Sequence, residues 1–153
     1  MRNALRLAAL AASLALSAPY ARAEEPASGV AFEGVNLPFA DVQAKAKAAA
    51  KPIFVDFFTD WCGWCKKLDA EVFSQQAFKD YAAKNLVLVE VDFPRSFQLP
   101  EPTKKQNDEL AKKFKIQGYP TIVITTASGT KRGEVGYVPG GPEAFIKELK
   151  KND

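Results

Sequence analysis

The chain has 153 residues, a formal charge of +3, two cysteines and no histidine. That length allows one domain, and two thiols without histidine are too few ligands for an ordinary zinc site. Three arginines lie in the first 23 residues, so the remainder is formally neutral and offers no surplus of positive charge to nucleic acid or an anionic membrane.

Residues 1–23 read as a cleaved signal peptide. Met1–Arg6 is basic, and Leu7–Ala18 is an apolar core too short to span a bilayer comfortably. Ala21-Arg22-Ala23 then supplies the small residues of a cleavage site before Glu24. A buried N-terminal helix is the alternative. Residues 24–36 read as a flexible arm, which leaves one domain over residues 37–153. No later segment is apolar for long enough to cross a membrane.

Phe39, Val42, Ala46 and Ala49 follow helical spacing, which predicts a helix over Pro38–Ala50. Ile53–Phe58 (IFVDFF) is nearly continuous in apolar residues, as a strand covered on both faces would be. Trp64, Leu68 and Val72 then fall four apart, so a helix begins at the cysteines. Phe73–Lys84 continues or restarts it. Leu86–Asp92 (LVLVEVD) is a strand, and Phe93–Pro102, with three prolines, is a loop. Thr103–Phe114 is a charged helix and Lys115–Pro120 a connector. Thr121–Thr126 and Thr130–Tyr137 form a hairpin across Ala127-Ser128-Gly129. Glu143–Lys151 is the last helix. The order is α-β-α-β-α-β-β-α, an α/β chain with a central mixed sheet and helices on both faces.

Cys62 and Cys65 admit three readings. As a staple the pair is weak, because closing four residues is worth roughly 2 kcal/mol against about 3 for fifteen. As a metal site it lacks partners: there is no histidine, and Met1 leaves with the leader. As a redox couple it fits. A helix start presents unpaired N–H groups and a partial positive charge, which favour thiolate at Cys62. Cys65, one turn in and expected to be less exposed, would then resolve a mixed disulfide. No cofactor is needed.

Asp56 interrupts the apolar run, where an unpaired charge is costly. A buried carboxyl with a raised pKa could take the Cys65 proton. The alternative is an acid hydrogen-bonded to backbone near the strand end.

Three stretches, VDFFTDWCGWCKK (Val55–Lys67), ELAKKFKIQGYPTIVI (Glu109–Ile124) and GYVPGGPEAFIKELKK (Gly136–Lys151), resemble the thioredoxin superfamily. Within it they are most similar to the exported group that includes the C-terminal domain of the periplasmic thiol-disulfide interchange protein. The resemblance implies a thioredoxin-like fold and a cis Tyr119–Pro120 peptide facing the cysteines. It implies a substrate surface framed by Trp61, Gly63, Trp64, Tyr119, Pro120 and Gly136. Trp64 is expected at the surface, while Trp61 could equally be core. Gly63-Trp64 departs from thioredoxin's Gly-Pro, and the histidine that strong oxidants of the family carry between their cysteines is missing. The reduction potential should therefore lie toward the reducing end of a range from about −270 to about −120 mV.

The resulting expectation is an exported, monomeric protein-disulfide reductase or interchange enzyme of the periplasm. Its partners would be disulfide-bearing exported proteins and a membrane electron-donor thiol protein. A dithiol oxidase or isomerase is the alternative within the fold. A redox-independent chaperone or assembly module is the alternative outside it.

Overall fold

Ile53–Phe58 (β1) carries large apolar side chains on both faces and forms the centre of the sheet. The structure, a computed structural model, describes residues 32–152. The signal peptide and the first eight residues of the arm lie outside the described residues. β1 pairs in parallel with Val87–Asp92 (β2) and antiparallel with Thr121–Thr125 (β3), which pairs antiparallel with Lys131–Val135 (β4). The order is β2-β1-β3-β4, a mixed sheet of the thioredoxin type.

Alternation along each strand sends side chains to two separate cores. On one face Val55, Phe57, Val89 and Val123 meet Phe39–Ala49 (α1) and Glu101–Phe114 (α4) through Val42, Leu110 and Phe114. On the other, Phe54, Leu88, Ile122 and Ile124 meet three helical elements. These are Gly63–Leu68 (α2) with its continuation through a π-helical turn at Asp69–Phe73, Gln76–Asn85 (α3), and Gly141–Leu149 (α5). Phe54 sits in a nest of rings, with Phe73 at 5.7 Å, Phe78 at 5.9 Å and Phe145 at 6.5 Å between centroids. Edge-to-face and tilted packing of this kind adds to simple burial.

The helix expected over Phe73–Lys84 restarts at Gln76 after the π turn. The helix expected from Thr103 begins two residues earlier, at Glu101. Pro102 stands in its first turn, where the missing N–H costs nothing, so a residue read as loop belongs to the helix.

The end of the segment read as a flexible arm is docked. Phe32 is buried against Phe54 and Phe73, at 6.4 and 6.0 Å between ring centroids. The N–H of Glu33 donates to Leu88 O, that of Glu90 to Gly34 O, and that of Asn36 to Glu90 O. These bonds run along the outer side of β2 and occupy an edge that would otherwise present unpaired backbone groups. Replacing Phe32 with alanine is expected to cost about 3 kcal/mol in urea denaturation, the lower end for a phenylalanine truncation. A loss below about 0.5 kcal/mol, the range of an ordinary surface change, would mean that the segment is not held.

Candidate active site

The chain leaves β1 through a turn in which Cys62 N–H donates to Thr59 O, at 3.3 Å. Cys62 then has extended backbone angles (φ −84°, ψ 106°) and caps α2, its Sγ accepting from Cys65 N–H at 3.0 Å. The two cysteines are joined by a disulfide, with Cα atoms 5.3 Å apart. One sulfur therefore lies at the amino end of a helical run that continues through Phe73, where unpaired amides stabilise negative charge.

The exposure of the pair reverses the expectation from sequence. Cys62 is the buried member, and Cys65 is partly exposed. As the cap, Cys62 folds its side chain back onto the first turn of the helix. What singles out Cys62 is thus its amide donor, not its access to solvent.

Aromatic residues flank the disulfide in two groups. Trp61 and Trp64 are both exposed, at 45% and 58%. Trp61 packs edge-on against Tyr119, 6.0 Å away, and Tyr119 lies 5.5 Å from Phe93. Trp64 lies 5.1 Å from Tyr137. Each group carries a cation: the Arg95 guanidinium stands 3.7 Å over the Trp61 ring, and Lys67 lies near Trp64 and Tyr137 at 5.8 and 5.6 Å. The Tyr119–Pro120 peptide is cis. Gly136 is exposed beside it, and a Cβ there would meet only Pro120 O, at 3.8 Å. Gly63 is exposed and has nothing within 4 Å of where a Cβ would stand. Trp61, Tyr119, Pro120 and Gly136 are thus brought together. Gly63 and Trp64 join them through the cysteine loop.

Sequence reasoning missed the clasp that holds the loop after β2. Asp60 accepts from the N–H groups of Arg95 and Ser96, both at 3.1 Å, and from the Ser96 hydroxyl. The Ser96 hydroxyl and then the Arg95 amide hold the Asp60 carboxyl below its usual range. This clasp sets Arg95 over Trp61. The partners are 35 and 36 residues apart, too far for any local pattern to reveal. On the other side, Tyr137 donates to Glu71, which also pairs with Lys67 at 3.0 Å.

Asp56 is 5% exposed, and its Oδ1 has no hydrogen-bond partner. That oxygen does not fit the alternative of an acid satisfied by backbone. Burial pushes this carboxyl well above the ordinary range, and the Glu90 and Asp69 carboxylates push it the same way. Asp69 follows Cys65 by four residues on one helical run, so the two share a helix face. Burial, with Asp69 and Asp92, also lifts Glu90 to about 7.

The family model for the thioredoxin-like domain matches residues 39–152. The chain belongs to the thioredoxin-like family. It is 33% identical over 161 residues to the disulfide bond reductase DsbH of Chlamydia pneumoniae, covering 98% of this chain and 96% of that one. It is 35% identical over 101 residues to the thiol:disulfide interchange protein DsbD of Actinobacillus pleuropneumoniae serotype 5b, a match over 65% of this chain but 16% of the longer protein. A solved DsbH oxidoreductase superimposes with a TM-score of 0.72 at 29% identity, over 92% of this chain and 94% of that one. This thioredoxin-like chain is a thiol-disulfide oxidoreductase whose CxxC pair is Cys62 and Cys65.

A buried acid with a raised pKa keeps its proton at a pH where the unfolded chain has lost it, so folding must overcome either protonation or a buried charge. The penalty is absent below the ordinary carboxylate pKa and complete above the raised one. Asp56→Asn removes it. The variant should match the parent in urea at about pH 3, below the ordinary carboxylate pKa, and resist urea better at about pH 8. Equal midpoints at pH 8 would show that Asp56 carries no such penalty.

Proposed function

We propose that this protein is an exported protein-disulfide reductase, with Cys62 as the attacking sulfur and Cys65 as the resolving one. The observation that carries this reading is the Cys65 N–H directed at Cys62 Sγ, 3.0 Å away at a helix start. An amide there stabilises Cys62 as a thiolate and favours attack on a substrate disulfide. A mixed disulfide forms between Cys62 and the substrate. Asp56 takes the Cys65 proton, and Cys65 attacks Cys62, releasing the second substrate thiol.

The two aromatic groups suit an unfolded or extended polypeptide. Trp61, Tyr119 and Trp64 offer apolar area, and the backbone of Tyr119 offers hydrogen bonds beside Pro120. Pro120 has no N–H to draw a competing strand. The Gly63-Trp64 dipeptide provides no histidine to stabilise the reduced form, which favours a reducing rather than an oxidising couple. Export is supported by the leader pattern of residues 1–23 and by the likeness to Dsb proteins. Among the described residues, no helix is long and apolar enough to cross a membrane. In an oxidising compartment a reductase needs recharging, so a membrane electron-donor thiol protein is the expected partner, and disulfide-bearing exported proteins are the expected substrates. Residues 37–153 work as one domain, read as a monomer.

Cys65→Ser leaves the attacking sulfur but removes the resolving one. Expressed with its leader, it should accumulate covalent adducts that dithiothreitol releases. The Cys62→Ser, Cys65→Ser double variant should accumulate none. No adducts from the single variant would rule out the two-step scheme. Equilibrated with a glutathione buffer, the parent should sit closer to about −270 mV than to about −120 mV. A value above about −150 mV would favour an oxidase instead.

A further inference from the structure

The mechanism above uses one buried acid, but the sheet places a second beside it. β1 and β2 are parallel and in register, and Asp56 is paired directly with Glu90. Paired residues on neighbouring strands point to the same face, with the strands about 4.8 Å apart. Here that face is the one carrying Phe54 and Leu88, covered by α2, the π turn, α3 and α5. Asp56 Oδ1 is enclosed and has no partner.

The backbone of Glu90 is fixed on both sides. It follows the register of β1 inward, and outward its N–H and C=O bond to Gly34 and Asn36, at 3.2 and 2.8 Å. The docked arm therefore holds Glu90 beside Asp56. The neighbouring charges acting on this pair are carboxylates: Asp69 on the π turn, which acts on both, and Asp92 two residues along β2, which acts on Glu90. Glu33 of the arm is engaged by Lys45 of α1. Among the described residues no group of three or more His, Cys, Asp or Glu side chains is gathered to hold a metal ion.

We propose that Glu90 is a positioning residue for the resolving step: its carboxyl, in register with Asp56, controls whether Asp56 is available as the base for the Cys65 thiol. This rests on the reading of Asp56 given above. In the step, the Cys65 S–H bond breaks and its proton passes to the Asp56 carboxylate. The Cys65 sulfur attacks Cys62 Sγ, and the bond between Cys62 and the substrate sulfur breaks. The substrate sulfur leaves with the electron pair and is protonated by water, while Asp56 later returns its proton to solvent. The two cysteines are oxidised by two electrons and the substrate is reduced by two. An ionised Glu90 opposes a second negative charge on Asp56, so it delays the appearance of the base as pH rises. The burial that lifts Glu90 to about 7 makes this control operate near neutral pH.

The test uses two measurements on the full mature chain. In the oxidised protein, the Asp56 carboxyl carbon is titrated by NMR, with assignment from Asp56→Asn. In Glu90→Gln the midpoint should move down by about one pH unit. An unmoved midpoint overturns the proposal whatever the enzyme does. In the second, reduced protein is mixed rapidly with a dye-labelled peptide disulfide, and release of the second thiol is followed against pH. The acidic limb should move to lower pH in Glu90→Gln and further in Glu90→Lys, while Glu90→Asp keeps the parent profile. Should Glu90→Gln fail to fold, Glu90→Ala carries the same expectations. A midpoint that moves while the limb stays, with the limb also unchanged in Asp56→Asn, removes Asp56 as the base and the proposal with it. A limb that responds to Asp56→Asn but not to Glu90→Gln or Glu90→Lys overturns Glu90 alone.

Discussion

Everything chemical in this chain hangs from the end of one strand that cannot move. β1 is hydrogen-bonded on both sides and buried on both faces, so Phe54 and Phe57 are each completely enclosed. Displacing it would open two cores and two ladders together. The turn at Thr59–Cys62 follows directly, and α2 starts at once. The sulfurs are thus referred to the most rigid part of the fold through only a few residues of loop. Thiol-disulfide exchange requires three sulfurs to come into line, and such rigidity limits the search to the substrate's motion.

What could be read from sequence was what lies in a continuous local pattern. IFVDFF announced a central strand because a strand with two covered faces needs no polar side. The spacing of Trp64, Leu68 and Val72 announced a helix, and with it a helix start at the cysteines. Features that depend on partners distant in the chain were not legible. Phe32 lies in a stretch of small and polar residues with no period of its own, and its neighbours dock through backbone bonds that leave no side-chain signature. The clasp of Asp60 on Ser96 and the stacking of Arg95 on Trp61 join segments that meet only in the folded chain. Glu90 is intermediate. In LVLVEVD it breaks the apolar alternation on the same face as Leu88, and that anomaly is visible. Its significance emerges only when the register sets it against Asp56.

The order of exposure within the cysteine pair follows from capping. A residue at the N-cap must turn its side chain back toward the helix to reach an orphan N–H. Cys62 does so and is covered as a result. A first sulfur free in solvent and a first sulfur hydrogen-bonded by the helix are therefore partly competing arrangements. Here the second prevails, and exposed aromatic rings stand on either side of the covered sulfur.

The titratable groups on β1 and β2 behind the site are carboxyls. Arg95 and Lys67 stand at the surface against the aromatic rings, while Asp56, Asp69, Glu90 and Asp92 belong to the sheet and the π turn behind. A thiolate at Cys62 is favoured by the helix amides but opposed by any ionised carboxyl nearby. The conflict is eased if the buried acid is protonated while sulfur is charged. In the proposed resolving step the proton would travel from Cys65 to Asp56 as negative charge travels from carboxyl to sulfur, so the total charge within the enclosed region would stay constant. A second acid beside the first raises the cost of ionising both and would favour this exchange. An apolar residue at Glu90 would leave Asp56 with burial and Asp69 to hold its proton, and a basic one would give it a permanent counter-ion. A carboxyl at that position would make the state of the proposed base responsive to pH.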